Sequence, residues 1–171
     1  MVCQSLPIRE GLKTMLLLMP PAYLAPPPTV SKVELPRYMG DWFEIARLPN
    51  PSQKKCARTT ARYTLTQEGH FKILNGCLTP EGRQLEANGR AHVVEVATGS
   101  KLRVTFFWPF YGDYWILDLD ADYRWALVGT PDRKYLWVIS RSERMEASRL
   151  EALLSKAHAL GYDLSPLIRS S

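Results

Sequence analysis

The sequence predicts an all-β domain: an eight-stranded antiparallel up-and-down β-barrel with one C-terminal α-helix packed outside. Three observations carry this. From Val33 onward, short runs of alternating apolar and polar residues are separated by Gly, Pro, Asn and Asp turn signals at roughly 8–15-residue spacing. Eight such runs are joined by hairpin-length connections, and closing them into a barrel removes the two edges an open sheet would expose. The only sustained helical period lies after the eighth run, where Leu150, Leu153, Leu154, Ala157 and Leu160 form one stripe. An aromatic fraction of 11%, with five Trp and eight Tyr, agrees with β structure or a binding site.

The strands follow in order. Gly40 to Leu48 is the first, ended by Pro49-Asn50-Pro51-Ser52. Ala57 to Thr66 is the second, with Tyr63 and Leu65 alternating against Arg62 and Thr64, and Gln67-Glu68-Gly69 turns it. His70 to Asn75 is the third, and Leu78 to Gly82 forms a Pro/Gly turn. Gln84 to Val96 is the fourth, interrupted at Asn88-Gly89, and Thr98-Gly99-Ser100 turns. Lys101 to Phe107 is the fifth, and Pro109 and Gly112 break it. Tyr114 to Leu119, Arg124 to Gly129 and Tyr135 to Arg141 complete the set, with turns at Asp120–Asp122 and Thr130-Pro131-Asp132. Gly161 stops the helix as a left-handed cap. Its apolar stripe is expected to pack on the outside of the barrel, and Tyr162 to Ile168 to add a short last strand.

The 171 residues, 19.5 kDa, divide unequally. Six prolines (Pro7, Pro20, Pro21, Pro26, Pro27, Pro28) precede Lys32, so residues 1–32 read as a head outside the fold and 33–171 as the barrel domain. Arg9, Lys13 and the apolar run Met15–Met19 make a weak, proline-broken match to a secretory signal. A mis-chosen start is the alternative. No stretch reaches the roughly 20 apolar residues of a transmembrane helix. Hydrophobic residues are 46% and charged residues 23%, which excludes wholesale disorder. The net charge of +5 permits attraction to anionic lipid but is too diffuse to demand nucleic acid.

Catalytic and metal signatures do not occur. There is no GxGxxG, Walker loop or HExxH, and no GxSxG elbow. His70, His92 and His158 are scattered over different elements and read as packing or surface residues. Asp118, Asp120 and Asp122 read as turn acids, too few for a calcium loop. Cys3, Cys56 and Cys77 form no CxxC or Cys/His cluster, so no metal site is expected. Cys56 and Cys77 sit at the outer ends of two neighbouring strands, within reach of a disulfide, which would imply an oxidising compartment; two unrelated free thiols are the alternative.

Strand period 2 then assigns faces. With Trp42 inward, the inward set is Trp42, Glu44 and Ala46; Ala61, Tyr63 and Leu65; Phe71, Ile73 and Asn75; Leu102, Val104 and Phe106; Tyr114 and Ile116; and Tyr135, Trp137 and Ile139. Lys72, Lys101, Arg103 and Thr105 make a polar outer face. The interior is apolar and aromatic with a few hydrogen-bonding groups, as in a site for a hydrophobic ligand with a polar end. Aromatics that merely fill the barrel are the competing reading. Glu44 and Asn75 weigh against it, because a filled core rarely tolerates unpaired polar groups.

Four segments resemble the lipocalin family. Gly40-Asp41-Trp42 after Tyr38-Met39, continuing to Arg47, is similar to the family's opening GxW motif. Asp122-Tyr123-Arg124-Trp125 and onward is similar to the second, TDY-type motif, with Ala121 where Thr is usual. Leu136 to Arg141 resembles the third motif, with its Arg. Phe107 to Gly112 resembles a segment of the bacterial lipocalin (Blc-like) and apolipoprotein D subgroup. The resemblance spans roughly Val33 to Ile168. It implies structural roles for Gly40, Trp42 and Arg141, with Arg141 lying across the Trp42 ring at the closed end.

The resemblance also places Tyr63, Asn75, Phe106, Tyr114 and Trp137 in a ligand pocket, in agreement with the face assignment, which adds Glu44. Lys54 and Lys55 fall near the open mouth, either to attract an anionic head group or as a solvated loop. The implied function is non-enzymatic binding, storage or transport of a fatty acid, phospholipid or lysophospholipid, with no cofactor, at the bacterial cell envelope (periplasm or outer membrane). Association with a membrane surface is compatible, no nucleic-acid partner is expected, and monomer and homodimer both stay open. Bacterial members are usually anchored through a Cys just after the signal, and no Cys lies between Leu16 and Val30, so the expectation is either a protein without that anchor or a wrongly chosen start. The rivals are a lipid-modifying enzyme of isomerase or de-epoxidase type on the same barrel, with Cys56 as its one thiol near the mouth, and a ligand-free interaction scaffold.

Overall fold

A computed structural model describes residues 25–67 and 70–170. Cys3, the signal-like run and the Glu68-Gly69 turn lie outside the described residues. The element order is α1 (Leu35–Tyr38), β1 (Gly40–Arg47), a 3-10 turn (Pro51–Gln53), β2 (Arg58–Leu65), β3 (Phe71–Leu78), β4 (Gln84–Val93), β5 (Lys101–Phe107), β6 (Phe110–Leu119), β7 (Trp125–Gly129), β8 (Leu136–Ser140), α2 (Ala147–Ala159) and β9 (Ile168–Arg169). Consecutive strands β2 to β8 pair antiparallel, β8 pairs β1, and β1 pairs β2, which closes an eight-stranded barrel. β9 adds to the outer edge of β1.

The strands depart from the sequence reading in specific places. β3 runs on to Leu78, because Arg58 and Thr59 of β2 still pair with Leu78 and Cys77. β4 passes through Asn88-Gly89 without interruption, both residues pairing with β3. Gly89 serves close approach there: a Cβ would stand 2.7 Å from the Phe106 ring. β4 ends at Val93, since Val94 to Ser100 form the turn into β5. β6 begins at Phe110, four residues early, because Phe107 pairs with Phe110 and Trp108-Pro109 is the hairpin tip. Pro109 therefore makes the turn, and Gly112 pairs within the ladder opposite Val104. The last strand shrinks to two residues, Ile168 and Arg169, paired with Arg47 and Ala46. α1 is a single turn, too short to leave a period in the sequence.

Two apolar clusters lie on either side of the barrel wall. Inside are Trp42, Phe71, Ile73, Ala91, Leu102, Ile116, Val128 and Ile139. Outside, Leu150, Leu153, Leu154 and Ala157 of α2 bury against Ile45, Leu117, Leu127, Leu136 and Val138. Adjacent residues such as Leu127 and Val128 thus serve opposite clusters, as the pleat requires. α2 ends in a Schellman motif: Gly161 has φ +90°, its N–H donates to His158 O, and the Tyr162 N–H donates to Ala157 O.

Ala46 belongs to the outer cluster, not to the interior. The β1–β8 register shifts between Glu44 and Ala46, and this bulge inverts the side-chain parity of the rest of β1. The stretch 25–32 has no helix or strand but is docked on the barrel. The Arg133 guanidinium donates to Ala25 O at 2.6 Å, and the Val30 N–H to Ile116 O at 3.0 Å.

Candidate functional site: an open aromatic cavity

The barrel encloses a cavity of about 760 Å³ that opens at the end where β5 and β6 join. Trp42, Tyr63 and Tyr114 line its floor; Ala61, Ile73, Asn75, Val104 and Ile139 its wall; Gln53, Phe106, Phe107, Phe110, Tyr135 and Trp137 its mouth. A second groove of about 630 Å³ lies against the β1–β4 wall, rimmed by Arg58, Glu86, Glu143 and Arg144. Its charged rim does not suit an apolar ligand, whereas the inner cavity has few polar groups on an aromatic surface.

The closed end is pinned. Arg141 Cζ lies 3.8 Å from the centre of the Trp42 ring, a cation–π contact. The same guanidinium donates to the carbonyls of Asp41 (2.7 Å), Arg37 (2.9 Å) and Tyr123 (3.2 Å). Gly40 has φ +94°, and a Cβ there would press on Arg141 Nη1 at 3.3 Å. The Trp42 indole N–H donates to Tyr38 O at 2.9 Å.

Above Trp42 three phenols form a chain. The Tyr114 hydroxyl meets the Tyr38 hydroxyl at 2.8 Å and the Tyr63 hydroxyl at 3.1 Å. The Tyr38 and Tyr63 rings stack at 5.9 Å. Burial pushes all three hydroxyls well above the ordinary tyrosine range, since a phenolate there would lose its hydration.

At the mouth, Gln53 ties the β1–β2 loop to the barrel. Its side-chain N–H groups donate to Glu44 Oε2 (2.6 Å) and Thr59 Oγ1 (3.1 Å), while its oxygen accepts from the Trp137 indole at 2.9 Å and from Asn50 Nδ2. Glu44 Oε1 accepts from Arg47 Nη1 at 2.5 Å and from Ser170 Oγ at 3.2 Å. Arg47 Nη2 donates in turn to the carbonyls of Gln53 (3.2 Å) and Cys56 (3.0 Å). Both members of the Glu44–Arg47 pair are buried, so neither can lose its partner cheaply. Cys56 and Cys77 form a disulfide that fastens the same loop to β3, with Cα atoms 5.3 Å apart.

Tyr63, Asn75, Phe106, Tyr114, Trp137 and Glu44 all line the one cavity. Asn75 presents a buried Oδ1 with no hydrogen-bond partner. Glu44 instead has both oxygens taken by protein donors. Lys54 and Lys55 are exposed on the β1–β2 loop and are not among the lining residues. The charge of Lys55 bears on Glu81, whose carboxyl is held below its usual range first by Thr79 and the backbone and then by that lysine. Leu65, expected inward, is exposed at the rim of the closed end. Among the described residues there is no group of three or more His, Cys, Asp or Glu side chains poised for a metal.

Sequence reasoning missed Arg47, Gln53 and Tyr38. Arg47 faces inward only because of the bulge. Gln53 carries no signal beyond its place in a polar loop. Tyr38 stands beside the Gly40-Asp41-Trp42 motif, and that adjacency was the available clue.

The family model for the lipocalin-like domain matches residues 33–171. The chain belongs to the lipocalin family. Among curated lipocalin relatives, it is 36% identical over 140 residues to the outer membrane lipoprotein Blc of Escherichia coli (strain K12), covering 81% of this chain and 79% of that protein. It is 38% identical over 147 residues to temperature-induced lipocalin-1 of Arabidopsis thaliana, covering 81% and 78%. It is 27% identical over 151 residues to mouse apolipoprotein D, covering 82% and 78%. Among solved lipocalin structures, insecticyanin from the tobacco hornworm Manduca sexta superposes with a TM-score of 0.67 at 22% identity over 87% of each chain, a likeness of fold.

Proposed function

We propose that this lipocalin binds, stores or carries a small amphiphile of the fatty acid or lysophospholipid class at the bacterial cell envelope. The observation that carries the reading is the open, aromatic cavity of about 760 Å³ inside the barrel. Its size lies within the range of small-molecule sites, and its apolar wall favours a tail by about 0.8 kcal/mol per buried CH₂. Asn75, with its unpaired oxygen, is the polar contact available along the wall. The exposed Lys54 and Lys55 supply charge for an anionic head group outside the mouth.

Catalysis on the same barrel finds less support. Cys56, the thiol nearest the mouth, is bound in the disulfide and is no nucleophile. A filled scaffold finds none, since the cavity is open. The disulfide suits an oxidising compartment, and relatives named as outer membrane lipoproteins support an envelope location.

The test is displacement of a fluorescent fatty acid, read together with native mass spectrometry of protein from its own host. Wild-type protein should release the probe to fatty acids or lysophospholipids. Val104→Trp, which fills the wall at the level of three CH₂ groups, should weaken binding about 50-fold. Trp137→Arg should abolish it. The proposal fails if wild-type protein neither binds the probe nor carries an amphiphile.

A further inference from the structure

The phenol chain above Trp42 has one proton more than it can use. Each phenol carries one O–H donor and two acceptor lone pairs, so three phenols joined by two hydrogen bonds keep one donor over. Burial decides where that donor sits. Tyr38 is 3% exposed, does not line the cavity, and among the described residues its hydroxyl bonds only Tyr114. A Tyr38 proton aimed anywhere else would be stranded, so Tyr38 donates to Tyr114. The uncommitted O–H then belongs to Tyr63 or Tyr114, and both line the cavity. A second group lies just above. Asn75 Oδ1 is a buried acceptor with no partner. In the β2–β3 register Tyr63 stands opposite Ile73 and Ala61 opposite Asn75. Asn75 is therefore the diagonal neighbour of Tyr63 on the inner face, about 7 Å nearer the mouth. The deep part of the cavity thus holds one spare donor and one spare acceptor among Trp42, Ile73, Val104 and Ile139.

Resting on the reading that amphiphiles enter the barrel tail first, we propose that this floor selects chains bearing a hydroxyl at the tail end, the class of ω-hydroxylated fatty acids and lipids. A hydroxyl answers both groups: its oxygen accepts from the spare phenol while its proton goes to Asn75 Oδ1. A ketone or ether oxygen can only accept, and a methyl end meets neither. In solution water serves the two groups, and a methyl end that expels this water leaves both unpaired, which loses affinity. An ionised carboxylate is the poorer occupant of the floor, since the burial that lifts all three phenols would penalise its charge as well. Nearer the mouth, Glu44 and Gln53 are committed to each other and to Arg47 and Trp137, so they leave no comparable pair for a ligand hydroxyl.

The test uses the full chain, with palmitate, ω-hydroxypalmitate and α-hydroxypalmitate competing against a fluorescent fatty acid. In a purely apolar barrel a buried tail-end hydroxyl should weaken binding at least about fivefold. Here ω-hydroxypalmitate should bind about tenfold more tightly than palmitate, a few-fold from each hydrogen bond. α-Hydroxypalmitate carries its hydroxyl beside the head group and should gain nothing. Asn75→Leu should cut the preference for ω-hydroxypalmitate over palmitate about fivefold, because the ligand proton loses its acceptor. Tyr63→Phe should lower the preference by less, since the spare proton passes to Tyr114, whose oxygen lies 3.1 Å away. The proposal is overturned if palmitate binds as tightly as ω-hydroxypalmitate, if the α-hydroxyl gains as much as the ω-hydroxyl, or if Asn75→Leu keeps the full preference. A crystal structure of the ω-hydroxypalmitate complex with the carboxylate at the floor would overturn it too. Palmitate bound without any ω-hydroxyl preference sinks this inference alone. Failure of all three acids to bind sinks the ligand reading and this inference with it.

Discussion

Removing the central hydroxyl of the phenol chain should cost more than removing either end. Tyr114 bonds both Tyr38 and Tyr63, at 2.8 and 3.1 Å. Tyr114→Phe therefore breaks two hydrogen bonds, each worth about 0.5–1.5 kcal/mol net. It also strands the Tyr38 hydroxyl, which is 3% exposed and loses this partner, at a further 1–3 kcal/mol or so. The Tyr63 hydroxyl borders the cavity and can be rehydrated there. The expected loss is about 2–4 kcal/mol for Tyr114→Phe, against about 1 kcal/mol for Tyr63→Phe or Tyr38→Phe, each of which leaves one bond intact. The Tyr38→Phe/Tyr114→Phe pair removes the orphan and should recover part of the loss, a positive coupling in the double-mutant cycle. Urea unfolding followed by tryptophan fluorescence, with an unchanged m-value, measures all four. The reasoning is refuted if Tyr114→Phe is no worse than Tyr63→Phe, or if the double variant is simply additive.

Arg141→Ala removes the ring contact with Trp42 and three donors to backbone carbonyls. A loss of about 2–4 kcal/mol and roughly 10 °C in Tm is expected, with Arg141→Lys recovering only part because an ammonium lacks the planar fork. A Tm change under 2 °C would show that the contact is ornamental. Alkali should unfold the barrel. The three phenols have folded-state pKa values raised by burial, so their stabilising share is complete below the ordinary tyrosine value near 10. That share is lost as pH rises above 10, by up to about 1.4 kcal/mol per pH unit for each. Stability should be level through pH 9 and fall steeply beyond, and a flat profile to pH 12 would contradict the placement of these hydroxyls. Cys56→Ala with Cys77→Ala opens a link of 21 residues and should cost about 3 kcal/mol by calorimetry, with probe binding weakened further because the β1–β2 loop is freed.

Much of this site is legible in period 2. Trp42, Tyr63, Ile73, Asn75, Val104, Tyr114 and Trp137 are assigned inward by alternation alone, and each borders the cavity. Alternation fails where the backbone gains a residue. Past the bulge between Glu44 and Ala46, Ala46 turns to the helix and Arg47 turns in, where it occupies the carboxylate that the pattern leaves free for a ligand. Turn signals fail in the same local way. Asn88-Gly89 and Gly112 have turn composition, yet each lies in a ladder, Gly89 because Phe106 needs the space above it. Gln53 is illegible for another reason: its partners Glu44, Thr59 and Trp137 come from three strands, and no neighbour in the chain announces them.

By itself the sequence determined the barrel, the external helix, the nearness of Cys56 and Cys77 and the inward aromatics, while the bond between the two cysteines is a finding of the structure. These follow from short-range rules, namely alternation, helical spacing and the reach of a hairpin, which any contiguous stretch of chain obeys. Only the tertiary structure decided that the cavity is open, that Glu44 belongs to Arg47 and Gln53, that three phenols join above Trp42, and that Phe107, Trp108 and Phe110 stand clear of the barrel. Those outcomes depend on register and closure, which bring residues 50 to 100 positions apart within hydrogen-bonding distance, and on how much volume the enclosed side chains leave unfilled. No pattern read along the chain contains either quantity.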